Sequence, residues 1–284
     1  HAKYSGTLSM DNFDLGRFID FPDIGRVSMT GRVIEGSGLD IDNLEADITA
    51  VMSYAVYRVH TYRNARLDGI ISNRMFTGTM DINDPNVDMH FEGVVDFTGS
   101  LPKLDFVSRI DSIRFLPLGF GSEPIDISGI FDVDFTAGSI DKFKGSIQGE
   151  KITVRIKGVD YYLDSLYVEA VIDSVSGDRF YNFDSDLASG FVSGVFDPLL
   201  IAGQVHQYLH AQYPSLIEAP VKTVTSQPPP RVAWDIKIHE SGPWLDILGM
   251  PGFELKNTYT QGNLDLAKEQ IYGFIDLPEI HYGG

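Results

Sequence analysis

His206 and His210 lie four residues apart where a helix is expected, and at that spacing both imidazoles share one face and could hold a metal ion. No acidic third ligand stands at a fixed local spacing, so a solvated helix face is the stronger reading. Asp81, Asn83, Asp84, Asn86 and Asp88 surround a turn and offer oxygen ligands of the kind calcium takes. The Gly and the terminal Glu of a hand-type loop are missing, and an Asx-rich hairpin turn accounts for the cluster. Asp40, Asp42, Glu45 and Asp47 read as a solvated strand face. The strained serine elbow, the phosphate loop, the dinucleotide fingerprint and the HExxH pattern are all absent. The chain has no cysteine, which removes disulfides, thiolate metal sites and thiol nucleophiles together. The expectation is a protein without cofactor or metal that is not an enzyme.

The elements that carry these residues are strands. Val87, Met89, Phe91, Gly93, Val95 and Phe97 alternate with Asp88, His90, Glu92 and Asp96, the period of a sheet with one apolar and one wet face. Ile125, Ile127, Gly129, Phe131, Val133 and Phe135 repeat the pattern. Further examples are Leu44, Ala46, Ile48, Ala50, Met52, Tyr54 and Val56, and then Leu166, Val168, Ala170 and Ile172. Turn formers separate the runs, as at 83–86, 98–100, 137–138 and 176–178, so successive strands should pair antiparallel in a meander. An apolar-x-Gly-x-apolar motif recurs around Gly6, Gly78, Gly93, Gly129 and Gly145, with a looser copy at Gly262. Mid-strand glycines mark bends or close backbone approach, so this sheet should curl.

Near the middle the period changes. Asp197 and Pro198 form a good helix start and Pro214 a stop, which predicts a helix over 197–213. Five prolines between 214 and 230 predict a linker or loop, with strands resuming over 231–284. The expected organisation is thus a main amphipathic sheet over 1–196, a helix, a Pro-rich connection and a small second block. The fold class is all-β, a long curled antiparallel sheet forming a U-shaped groove with an apolar interior and one helix near the middle.

Hydrophobic residues make up 43% and aromatics 12% of 284 residues, too many for a disordered chain. A formal net charge of −18, from 40 acidic against 22 basic residues, argues against nucleic acid and anionic lipid surfaces. No apolar run approaches the roughly 20 residues that span a bilayer, and nothing at the start reads as a signal peptide. The chain begins at His1 without a Met and ends in strand-like sequence, as expected of a soluble, secreted-type piece of a longer protein.

About a dozen strands are apolar on one face, with few helices to cover them. Such a sheet must close, pair with a second sheet, or leave an apolar trough. Met89, Phe91, Val95, Phe97, Phe106, Ile125, Ile127, Phe131, Val133, Phe135, Val168 and Ile172 are the candidate lining of that trough. At strand spacings of about 4.8 Å, a dozen strands build some 50 Å of sheet.

The stretch from Gly25 to Phe120 resembles the TamB family as found in Bacteroidetes-type bacteria. The likeness is carried by a tyrosine-rich strand, L-x-G at Leu67 to Gly69, F-x-G at Phe76 to Gly78, the turn Asp84 to Asn86, and F-x-G-x-V-D-F at Phe91 to Phe97. It extends more loosely through Asp197 to Pro214 and the closing strands. The resemblance implies a periplasmic protein anchored upstream in the inner membrane. It further implies an outer-membrane partner of the BamA/TamA type, met through regions outside this segment, and a groove that carries phospholipid acyl chains in support of outer-membrane biogenesis and protein assembly. Two other readings stay open, a scaffold or chaperone whose sheet edges receive strands of nascent outer-membrane proteins, and a glycan hydrolase built from carboxylates that folding brings together.

Overall fold

The computed structural model describes residues 3–38, 42–119, 124–136, 144–173, 175–197, 200–215, 229–241 and 253–282. Its strands are β1 (Lys3–Asp14), β2 (Ile24–Ser37), β3 (Glu45–Tyr57), β4 (His60–Ser72), β5 (Met75–Asp84), β6 (Val87–Asp96), β7 (Lys103–Arg114) and β8 (Ile125–Thr136), then β9 (Lys144–Ile156), β10 (Val159–Ile172), β11 (Arg179–Ser185), β12 (Ala188–Val195), β13 (Arg231–Glu240), β14 (Phe253–Asp265), β15 (Gln270–Asp276) and β16 (Glu279–Tyr282). Helices α1 (Leu15–Ile19) and α2 (Ile201–Gln212) complete the described elements. Hydrogen-bonded neighbours follow chain order from β1 to β15, with β16 beside β15 on β14. The sheet is a meander, and among the described residues no pairing returns β15 to β1. Residue contacts divide the chain into two units, His1–Thr136 with Ile147–Asp164, and Ala137–Ser146 with Ser165–Gly284.

The hairpins are as tight as the sequence asks. Asn73 and Arg74, with φ of 49° and 66°, make the two-residue turn between β4 and β5. Lys157 and Gly158, at 51° and 84°, do the same between β9 and β10. Positive φ at both turn positions matches the twist of the flanking strands, which is why such turns dominate two-residue hairpins. Between β5 and β6 the Asp84 carboxylate accepts the Asn86 N–H at 2.9 Å, an Asx turn.

In the first unit, Ala65, Ile82, Val87 and Leu118 form one buried cluster, joined by Met52, Tyr62, Met80, Met89 and Ile113. Val33, Ala46 and Ile48 form another, joined by Tyr4, Leu8, Leu44 and Ile71. One alternation breaks. The β2–β3 register shifts at Ser28/Met29, and Asn64, opposite the extra residue Ser53, adopts φ of 52°. Beyond this bulge Tyr57 meets Tyr62 at 6.5 Å, so Ala55 and Tyr57, not Tyr54 and Val56, continue the apolar face.

Helix α1 was not expected. Asp14 caps it by accepting the Arg17 N–H at 3.1 Å, and Asp20 ends it in the left-handed region. Helix α2 is shorter than the expected 197–213. Leu200 precedes it without a side-chain cap, while the Asp197 carbonyl accepts from Leu200 and Ile201 N–H. Pro198 and residues 216–228 of the expected linker lie outside the described residues.

Candidate functional site

In an antiparallel sheet, register partners share a face, and the pairings order one face of the first unit into rows that each cross β1 to β8. One row runs Met10, Met29, Met52, Ala65, Ile82, Met89, Ile110, Gly129. The next is Leu8, Gly31, Ala50, Leu67, Met80, Phe91, Ser108, Phe131. Then come Gly6, Val33, Ile48, Gly69, Gly78, Gly93, Phe106, Val133, and finally Tyr4, Gly36, Ala46, Ile71, Phe76, Val95, Leu104, Phe135. Apart from the Ser108 hydroxyl and the Tyr4 phenol, no side chain in the four rows is polar.

The third row contains a ladder of glycines. A Cβ on Gly78 would lie 2.6 Å from the Gly69 Cα and 2.2 Å from the Asp68 carbonyl oxygen, and one on Gly93 would lie 2.3 Å from the Asp105 oxygen. The backbones approach here more closely than any side chain allows. Aromatic rings from the flanking rows fill the space. Phe91 stacks with Phe76 at 6.5 Å and meets Phe106 at 4.8 Å. Phe131 lies 3.1 Å from where a Cβ on Gly129 or Gly149 would sit.

The segment 15–23 measures a bend. At one end of β4, Asp23 accepts the Arg58 guanidinium at 3.0 Å, and its carbonyl accepts the Arg58 N–H at 2.7 Å. At the other end, the Arg74 guanidinium reaches the Ile19 carbonyl at 3.5 Å, and the Phe21 ring lies 5.0 Å from that of Phe97, which follows β6. From Arg58 to Arg74 a straight strand would span about 50 Å, whereas five residues such as 19–23 reach at most about 18 Å. The chain between Arg58 and Arg74 therefore curves back on itself. Its two ends form facing rims, and residues 15–23 lie across the mouth between them.

Accessibility follows this shape. Ala46, Ile48, Ala50, Ala65, Phe91 and Val133 on the floor are buried. Met10, Met29, Met52, Leu67, Met80, Met89, Val95, Leu104, Phe106, Phe131 and Phe135 are only half-buried. The opposite face is mostly polar, with Thr49 donating to Asp68 at 2.9 Å and His90 paired with Asp81 at 2.7 Å, although Val51, Ile70, Val107 and Ile130 are exposed on it.

No family model, curated protein or solved structure matches this chain.

Of the residues named from sequence, Met89, Phe91, Val95, Phe106, Phe131, Val133 and Phe135 lie in these rows. Ile127 pairs with Ile113 on the same face, and Ile125 is two residues before it on β8. Phe97 sits at the rim against Phe21. Val168 and Ile172 belong to the second unit, where Val168 shares a row with Phe183, Gly190 and Ile236, and Ile172 with Arg179, Gly194 and Val232. In that unit Trp234 covers Gly262, leaving 2.4 Å for a Cβ there, and its indole N–H donates to Thr260 at 3.1 Å. A recess of about 530 Å³ on the same unit is mixed in character, lined by Val232 and Leu264 as well as by the Arg231–Asp178 and Lys268–Asp265 ion pairs and Tyr272.

The candidate carboxylate at the β5–β6 turn is engaged in hydrogen bonds of its own. Asp84 is buried and accepts from the Arg63 N–H at 3.1 Å and the Asn86 N–H at 2.9 Å, with His60 at 3.2 Å. Its neighbour Tyr62 is pushed above the ordinary phenol range, first by burial, then by Tyr57 and Asp84. His206 and His210 lie on α2, whose Tyr208 donates to the Glu269 carbonyl at 3.0 Å. No group of three or more ligating side chains occurs among the described residues. The lining named from sequence left out β2 to β5, although alternation already placed Ala46, Ile48, Ala50 and Met52 on one face, and the segment 15–23 was missed altogether. The acidic cap Asp14 and the Phe-Pro-Asp run at 21–23 were its available signals.

Proposed function

We propose that this chain is a segment of a periplasmic bridge that holds phospholipid acyl chains against the apolar face of its first unit and passes them between the inner and outer membranes. One observation carries the reading. Four apolar rows run in register across eight strands, yet most of their large side chains, Phe91, Ile48 and Ile82 excepted, stay half-buried, with no second sheet packed on them among the described residues. A closed core would bury them, whereas an apolar chain laid along them gains about 0.8 kcal/mol per buried CH₂. Met10, Met29, Met52, Met80 and Met89 suit a ligand of variable shape, because the unbranched thioether repacks easily. The resemblance to the TamB family supports the same role, with anchoring in the inner membrane and a BamA/TamA-type partner as properties of the longer protein. A photo-crosslinking residue replacing Phe91 or Phe131 should capture phospholipid in cells, while one replacing Asp132 should not. Equal capture at all three positions counts against the trough.

One observation favours a scaffold that accepts strands of outer-membrane proteins. The last strand on the sheet path, β15, exposes Ile271, Tyr272, Phe274 and Ile275, and an exposed apolar edge is a template for pairing. Crosslinks from Tyr272 to nascent β-barrel proteins, with no lipid captured at Phe91, would favour that role.

A further inference from the structure

Segment 15–23 leaves and rejoins the sheet at neighbouring points. Asp14 pairs with Arg26 and Ile24 with Tyr57, so both of its ends are rooted at the rim that carries Arg58. The root is firm. Asp23 holds Arg58 through both its carboxylate and its carbonyl, and Gly16 is buried so tightly that a Cβ would lie 1.7 Å from the Ile24 carbonyl oxygen. Among the described residues the tip meets the facing rim through the Arg74 guanidinium, at a long 3.5 Å from the Ile19 carbonyl, and through the Phe21 ring against Phe97. Arg74 does not depend on this contact, since it also pairs with Asp42 at 2.5 Å. A piece rooted at one rim and latched weakly at the other is built as a flap.

We propose that residues 15–23 gate sideways entry into the trough of the first unit. The tip swings off Phe97 and Arg74 to admit an acyl chain through the mouth, pivoting at the Asp14–Arg26 and Asp23–Arg58 roots, and then closes over it. The ligand assigned here rests on the acyl-binding reading above. Closure serves such a ligand because a hydrocarbon chain on a half-exposed face still leaves apolar surface in water until something covers it.

The chain has no cysteine, so substitutions place its only thiols where they are wanted. In the full chain, Arg17→Cys/Thr98→Cys carries spin labels on the flap and on the facing rim, and the distance between them is read without lipid. Adding Arg74→Ala and Phe97→Ala should move the population to longer distances, and an unchanged distribution overturns the flap. In a second variant, Phe21→Cys/Phe97→Cys is joined by a short reducible bismaleimide and mixed with phosphatidylcholine vesicles carrying a pyrene-labelled phospholipid. Linking should slow uptake at least tenfold, and reduction should restore it. If the wild-type chain takes up lipid and linking changes nothing, the gate is wrong and the trough stands. If the wild-type chain takes up none, the acyl-binding reading is wrong and the gate falls with it, whatever the spin labels show.

Discussion

Gly69 and Gly78 are direct register partners on β4 and β5, and a Cβ added to Gly78 would lie 2.6 Å from the Gly69 Cα. Such contacts demand a backbone shift, and overpacking of this kind typically costs about 1–3 kcal/mol. Gly78→Ala and Gly93→Ala should therefore each lower the denaturation midpoint clearly. Gly273→Ala, whose Cβ would meet nothing closer than Trp234 at 3.5 Å, should stay within about 0.5 kcal/mol of wild type. Urea titrations of the three variants check the contrast.

The alternation along β8 predicts sidedness. Val133 is 5% exposed and Asp132 and Asp134 are exposed, so Val133→Asp buries an unpaired carboxylate while Asp132→Asn changes a wet surface. The first should cost several kcal/mol and the second under about 0.5 kcal/mol. Thermal melts that shift equally would show the faces to be assigned wrongly.

Those faces were legible because their period is two and their turns are short. The runs from Val87 to Phe97 and from Ile125 to Phe135 needed nothing beyond alternation to place Phe91 and Phe131 on one side. The bulge at Ser53 and Asn64 was not legible, since an extra residue in a strand leaves no mark in composition, and it carried Tyr54 and Val56 to the other face. The glycine motif was visible at Gly78 and Gly93, but that Gly69 completes one ladder depends on hairpin register. Segment 15–23 was hidden for a different reason. A five-residue helix has too few turns to show a period, and its position across the mouth depends on contacts with Arg74 and Phe97, far away in sequence.

Ser108 sits in the row between Phe91 and Phe131, is 1% exposed, and its hydroxyl has no hydrogen-bond partner among the described residues. An unsatisfied buried hydroxyl costs about 1–3 kcal/mol. Ser108→Ala should leave stability unchanged or raise it, in contrast to the usual loss on truncating a buried residue. A lowered melting temperature would show that the hydroxyl has a partner in solution.

Several carboxylates are held below their ordinary range by the folded chain. Asp173 accepts backbone N–H groups of Ser176 and Val175, Asp96 is bonded by the Thr98 side chain and then its N–H, Asp160 is bonded by Arg155, and Glu35 by Lys3. A carboxylate depressed on folding contributes stability that is fully present above its unfolded value and is lost as pH falls through the folded one. Stability should thus be flat from pH 5 to pH 7 in these groups and decline below about pH 4. All four are at the surface, so each effect is small and screened by salt. Asp173→Asn should lower the neutral plateau slightly and leave the acid end unchanged, so that the acid limb flattens by the same amount, as melts between pH 3 and pH 7 would record.

The methionines provide a test of the trough that uses no engineered residue. Met10, Met29, Met52 and Met89 share one row on the apolar face, Met80 lies in the next, and all five are half-buried. Met75 is also half-buried but precedes Phe76 on β5, and so points to the opposite face. Peroxide converts accessible thioethers to sulfoxides, and mass spectrometry reads the rate at each position. In the lipid-free chain all six should oxidise at comparable rates. With phospholipid bound, the five on the apolar face should slow several-fold while Met75 keeps its rate, because an acyl chain covers only one side of the sheet. Slow oxidation of the five before any lipid is added would mean that they already pack into a closed core. Protection that includes Met75 would point to aggregation or vesicle adsorption in place of a ligand in the trough.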